Sequence, residues 1–105
     1  MATLTVVFAV YGAIGGGGNE NDSQAVDVTD VLQTAINTND GIVTINNSTM
    51  GGDPSKGNRK HFGAIVALDG VNRAFACQED QTIDFFHTIP PTDQSDLVTA
   101  NEVSV

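Results

Sequence analysis

The chain has 105 residues, 40% of them hydrophobic, with eleven Gly, no Trp and a formal net charge of −9. That length holds one domain, and that hydrophobic share is enough for a core, which excludes wholesale disorder. The acidic balance excludes nucleic acid as a partner, and no apolar run is long enough for membrane insertion.

Leu4 to Tyr11 is rich in β-branched and aromatic residues and predicts a first, well-buried strand. Gly12 to Gln24 contains four consecutive glycines and then Asn19-Glu20-Asn21-Asp22, so 12–24 reads as a Gly/Asn-rich loop. The period then changes. Val28, Val31, Leu32, Ala35 and Ile36 recur on one helical face, predicting a short helix over Val28–Asn37. Asp27 or Thr29 can cap it, and Asn39-Asp40-Gly41 can end it in left-handed backbone.

Ile42–Asn46 reads as the next strand. Phe62–Leu68 and Val71–Gln78 follow as a hairpin, because Asp69-Gly70 supplies the positive φ angles of a type I′ turn. Thr82–Ile89 reads as another strand, stopped by Pro90-Pro91. Residues 92–105 form a terminal strand or a polar tail. The expected fold is mainly β with one short α-helix, a compact two-layer β-sandwich over a single domain, 1–105. A small barrel and an α+β arrangement are the alternatives.

Cys77 is the single cysteine, so no disulfide forms within the chain and a reducing compartment is indicated. The N-terminal residues lack a basic signal-peptide region. The expectation is a cytoplasmic protein, or one exported without a classical signal peptide.

Three of the four positive charges, Lys56, Arg59 and Lys60, fall in the turn-rich segment from Gly51 to His61. Its glycines would let backbone amides approach an anion, although the Gly-Lys-Ser/Thr ending of a phosphate-binding loop is missing. Two readings stand side by side. In one, Asp53 pairs locally with Lys56 or Lys60 in a solvated turn. In the other, Asp53, Lys56, Arg59, Lys60 and His61, with Phe86, contact a ligand or a subunit.

Other constellations are thinner. Glu20, Asp22 and Asp27 are oxygen ligands of the kind Ca²⁺ takes, but their spacing does not match an EF-hand loop, and no metal or cofactor is expected. Cys77 with His61 or His87 would be the raw material of a nucleophile. Phe75 and Cys77 nevertheless alternate as core-facing positions, and no enzyme is expected. Phe85, Phe86 and Tyr11 offer aromatic faces for a sugar ring. Adjacent Phe85 and Phe86 must point to opposite sides of a strand, so one of them is the less buried.

Several of these segments together resemble a known family. They are Tyr11-Gly12-Ala13, Asp27-Val28-Thr29 heading a stretch that ends in Val31-Leu32-Gln33, Gly51-Gly52-Asp53-Pro54 with Gly57 and Lys60, and finally Glu79. The succession is similar to the domain of unknown function at the C-terminus of DnaJ-like C11-type co-chaperones, and to small stand-alone fungal and bacterial proteins. The resemblance implies a β-rich interaction module with no catalytic residues. The J-domain signature itself is absent, so no co-chaperone activity is implied. The functional expectation is a non-enzymatic interaction protein acting through surface loops and associating with itself as a homodimer. The alternative is a lectin-like glycan binder of the defence or immunomodulatory type.

Overall fold

Alternation along the first strand changes phase once, and this sets the two faces of the main sheet. In the computed structural model, which describes residues 2–15 and 22–87, β1 runs over Leu4–Ile14. Leu4 and Val6 point inward, and so do Ala9 and Tyr11. The odd step between the two pairs is a β-bulge, where the register against the neighbouring strand jumps between Val6 and Phe8. One extra residue on the bulged strand keeps both apolar pairs on the same side.

β1 lies inside a four-stranded antiparallel sheet of order β2-β1-β4-β5, where β2 is Ser23–Asp27, β4 is His61–Leu68 and β5 is Val71–Gln78. The β4–β5 hairpin turns on Asp69 (φ 50°) and Gly70 (φ 85°), the pair of positive angles that a type I′ turn requires. β2 occupies the other edge. The segment 12–24 is therefore not loop throughout: Gly12–Ile14 continue β1, and Ser23 and Gln24 open β2. Composition misled because glycine has a second use here. A Cβ at Gly12 would overlap the backbone of Ala25, so the missing side chain is what lets β2 pair so closely. Residues 16–21 lie outside the described residues.

The helix, α1, spans Thr29–Thr38 and buries Leu32 and Ile36. Asp27 accepts the Thr29 N–H at 2.8 Å, and the chain leaves the helix through Asp40 (φ 53°). β3 (Ile42–Thr44) then pairs antiparallel with β6 (Thr82–Asp84). The strand expected over Thr82–Ile89 is shorter than its composition suggested. The Asp84 side chain accepts the Phe86 N–H at 3.0 Å, and its carbonyl accepts that of His87, which turns the chain. The rest of that strand, residues 88–89, and the terminal segment 92–105 lie outside the described residues.

The domain is mainly β and two-layered. One layer is the four-stranded sheet, and the other is α1 with the β3–β6 ribbon. Val28, Leu32, Ile36, Val43, Ile45 and Phe85 meet Leu4, Val6, Tyr11, Phe62 and Val66 between the layers. Phe85 sits at the centre, its ring 4.7 Å from that of Phe75 and edge-on to Phe62 at 6.3 Å. Among the described residues, no helix is long and apolar enough to cross a membrane.

Candidate functional site

The segment between β3 and β4 contains little regular structure, so its order comes from side chains. Asn46 and Thr49 bond reciprocally, with Asn46 Oδ1 accepting the Thr49 N–H at 2.9 Å and Thr49 Oγ1 accepting the Asn46 N–H at 3.1 Å. Asn47 Oδ1 accepts the Tyr11 hydroxyl at 2.7 Å, tying the turn to β1. Further on, Asp53 Oδ1 accepts the Ser55 N–H at 3.0 Å, the short local bond that Asp makes two residues ahead.

Lys60 is the keystone of the loop. It is only 3% exposed. Its ammonium lies 2.9 Å from Asp53 Oδ1, donates to the Ser55 carbonyl at 3.1 Å and stands 3.6 Å from Glu79 Oε1. An ammonium has three protons to place, and three oxygens surround this one. Glu79 also accepts the Lys60 backbone N–H at 2.9 Å and returns its own N–H to the Lys60 carbonyl. The hydrogen bond from Lys60 holds the Asp53 carboxyl below its usual value, and the same bond holds the Lys60 ammonium above its own. Ser55, itself buried, completes the frame: its hydroxyl donates to Gln24 Oε1 at 2.7 Å and accepts from Asn58 at 2.8 Å.

These contacts redistribute the expected contact residues. Asp53 and Lys60 face each other, as local pairing anticipated. Lys60 is buried beneath the loop and leaves its outer surface, while Asp53 stays exposed with its carboxylate turned onto the ammonium. Lys56, Arg59 and His61 remain exposed. Arg59 extends toward the Glu79 carbonyl at 3.5 Å. Phe86 belongs elsewhere. It is 42% exposed and leans on Gly41, at the Ile42–Asp84 end of the ribbon, whereas the loop leaves from the Thr44 end.

The remaining candidates separate. Tyr11 is wholly buried and offers no stacking face; burial, reinforced by the carboxylates of Glu79, Asp53 and Asp80, pushes its hydroxyl up to about 12. Phe85 is buried too, and Phe86 is the exposed member of the pair. Glu20 lies outside the described residues. Asp22 and Asp27 stand at opposite ends of β2, and among the described residues no three His, Cys, Asp or Glu side chains gather where an ion could sit. Cys77 pairs with Phe62 on the inward face while His61 pairs with Gln78 on the outward one, so the sheet stands between thiol and imidazole. Burial raises the Cys77 thiol, which keeps it protonated.

Gln24, Ser55 and Asn58 are members of the loop frame that the sequence did not announce. Glu79 could have been found. A two-residue turn at Asp69-Gly70 fixes the hairpin register, and one step beyond the His61–Gln78 pair it sets Lys60 opposite Glu79. The loop also lies beside the stem of the 15–22 segment, since Gly15 closes on Asp22 and Gln24 reaches Ser55. No family model, curated protein or solved structure matches the chain.

Proposed function

We propose that this chain is a non-enzymatic interaction module that meets an anionic partner through the exposed cations of its 51–61 loop, Lys56 and Arg59, with the exposed His61 imidazole beside them. The observation that supports this reading is the burial of Lys60. A loop without regular structure is held from inside by an ammonium with three oxygen partners, so its outer side chains stand on a fixed frame. A frame ordered before contact lowers the ordering cost of binding. The whole chain, loop included, carries a net charge of −9, so Lys56 and Arg59 stand out against an acidic background, and their pull on an anion acts over about a Debye length.

Of the polar ligands, anionic ones fit better than neutral sugars. Stacking on a neutral ring needs an exposed aromatic face beside the polar groups, and Tyr11 and Phe85 are both buried. The reading agrees with what the co-chaperone resemblance implies and does not rest on it. Its test is an array that carries sulfated and neutral glycans side by side. Binding to sulfated glycans that weakens with added salt, and that disappears in the double variant Lys56→Ser/Arg59→Ser, is expected. A blank array, or binding that the double variant retains, overturns the reading.

A further inference from the structure

A cleft of about 300 Å³ opens at the end of the ribbon away from the cationic loop, where the start of β1, the end of α1 and Phe86 come together. Buried Leu4 and Ile36 supply its apolar part. Phe86 lines it as well and is 42% exposed. That ring is held in place. It rests where a Cβ on Gly41 would collide with it, and the Phe85 N–H just before it donates to the Gly41 carbonyl at 2.8 Å. The charge in the cleft has one sign. Asp40 lines it, and no lining side chain is basic. Asp40 also follows the C-terminal end of α1, whose last carbonyls form the negative pole of the helix, and the last turn holds no basic residue to balance them. A carboxylate is the wrong charge for that pole, and among the described residues no group pairs with it.

We propose that this cleft binds an alkylammonium group, with the cation between the Asp40 carboxylate and the ring of Phe86 and the carbon chain on Leu4 and Ile36. A cation over an aromatic face is drawn to the negative side of the ring quadrupole, and Phe86 keeps enough surface exposed to receive it. The same cation offsets both the carboxylate and the helix pole. A neutral ligand leaves those two charges as they stand, and an anion is repelled by both. All three attractions act at a partly wet surface, where each is weak, so the expected affinity is on the order of millimolar. The loop leaves from the Thr44 end of the ribbon, so Lys56 and Arg59 take no part in this site. This proposal and the loop reading therefore succeed or fail separately.

The test is a titration of the full chain with choline and with its uncharged carbon isostere, dimethylbutanol, followed by NMR of the backbone amides. Choline should shift the amides of Asp40, Gly41 and Phe86 and bind about tenfold more tightly than the isostere, with an affinity that falls as salt is added. Asp40→Asn removes the charge and keeps a residue that tolerates the left-handed backbone at this position (φ 53°). Phe86→Leu removes the ring and keeps apolar bulk. Each should weaken choline about fivefold, with far-UV circular dichroism as the check on folding, and Lys56→Ser/Arg59→Ser should bind as the parent does. A parallel titration with a lysine amide distinguishes the source of the group: tighter binding of choline assigns a free quaternary amine, and tighter binding of the amide assigns a protein side chain. Amides that do not move with either cation overturn the proposal. So does equal binding of the uncharged isostere, choline binding that both cleft variants retain, or binding that the loop variant abolishes.

Discussion

The side-chain amide of Gln33 meets Val6 as a neighbouring strand's peptide group would. Its Oε1 accepts the Val6 N–H at 2.7 Å while its Nε2 donates to the Leu4 carbonyl at 3.1 Å. β2 pairs only with Val10–Ile14, so the first half of β1 would otherwise present an open edge. α1 closes it. Higher on the same edge, the Thr29 hydroxyl accepts the Ala9 N–H and the Val28 N–H donates to the Ala9 carbonyl. One helix thus fills the core with Leu32 and Ile36 and completes the ladder of β1 with Gln33.

Replacing Gln33 by Leu keeps the bulk and removes both bonds. The Val6 N–H then lacks a partner in a part-buried place, a loss of about 1–3 kcal/mol. Urea unfolding should show a lower midpoint with an unchanged slope. A midpoint equal to that of the parent chain would show that water replaces the amide without cost.

Lys60 carries a different expectation from its neighbours. Lys60→Met leaves the Asp53 and Glu79 carboxylates without the cation between them, whereas Lys56→Met touches no bond of the frame. Thermal unfolding should show a clear fall for Lys60→Met and none for Lys56→Met. Equal effects from the two would place the stabilising charge on the surface.

Acid should act through the same pair. Asp53 has its carboxyl depressed in the folded chain, chiefly by the hydrogen bond from Lys60. As pH falls below the ordinary carboxylate value, about 3.9, the unfolded chain takes up the proton first. Stability from this group is therefore complete above that value and is lost as pH drops through the folded one. Asp53→Asn should flatten the acid limb of a stability–pH curve. An acid limb identical to the parent's would remove Asp53 from the account.

The hairpin, the helix and the inward alternation were legible because each depends on neighbours in sequence. Asp69-Gly70 specifies its own turn, and Leu32 and Ile36 specify a helical face. Three things were not legible. The bulge at Val6–Phe8 is a property of two strands more than fifty residues apart. Gly12 reads as loop until β2 is seen lying against it. Lys60 looks like its cationic neighbours because sequence carries charge and not burial. The site was therefore half readable. Local pairing of Asp53 was foreseen, while the choice of Lys60 over Lys56 follows from the hairpin placing Glu79 beside it.

Phe85 and Phe86 are adjacent and alike, yet their environments differ. Phe85 is fully buried against Phe62 and Phe75, and Phe86 leans on Gly41 with one side in solvent. Phe85→Ala should cost about 3–5 kcal/mol, as for a buried ring. Phe86→Ala should cost roughly 1 kcal/mol or less, nearer to a surface change. Comparable losses in a denaturant series would mean that the ribbon end packs as tightly as the core.

Tyr11 is the single tyrosine in a chain without Trp, so its ionisation can be followed alone by tyrosinate absorbance. In the folded chain its hydroxyl is pushed up to about 12, first by burial and then by the carboxylates of Glu79, Asp53 and Asp80. In the unfolded chain it ionises near the ordinary value, about 10. Between those values the unfolded state holds fewer protons, so stability falls as pH rises. Lys60, raised by its bond to Asp53, loses its contribution in the same direction at alkaline pH. The native titration should lag that of the urea-unfolded chain and coincide with the loss of circular dichroism. Tyr11→Phe gives up the bond to Asn47, about 1 kcal/mol at neutral pH, and should make the alkaline decline shallower. Tyrosinate forming near 10 while the fold persists would place this hydroxyl in water, contrary to its bond with Asn47.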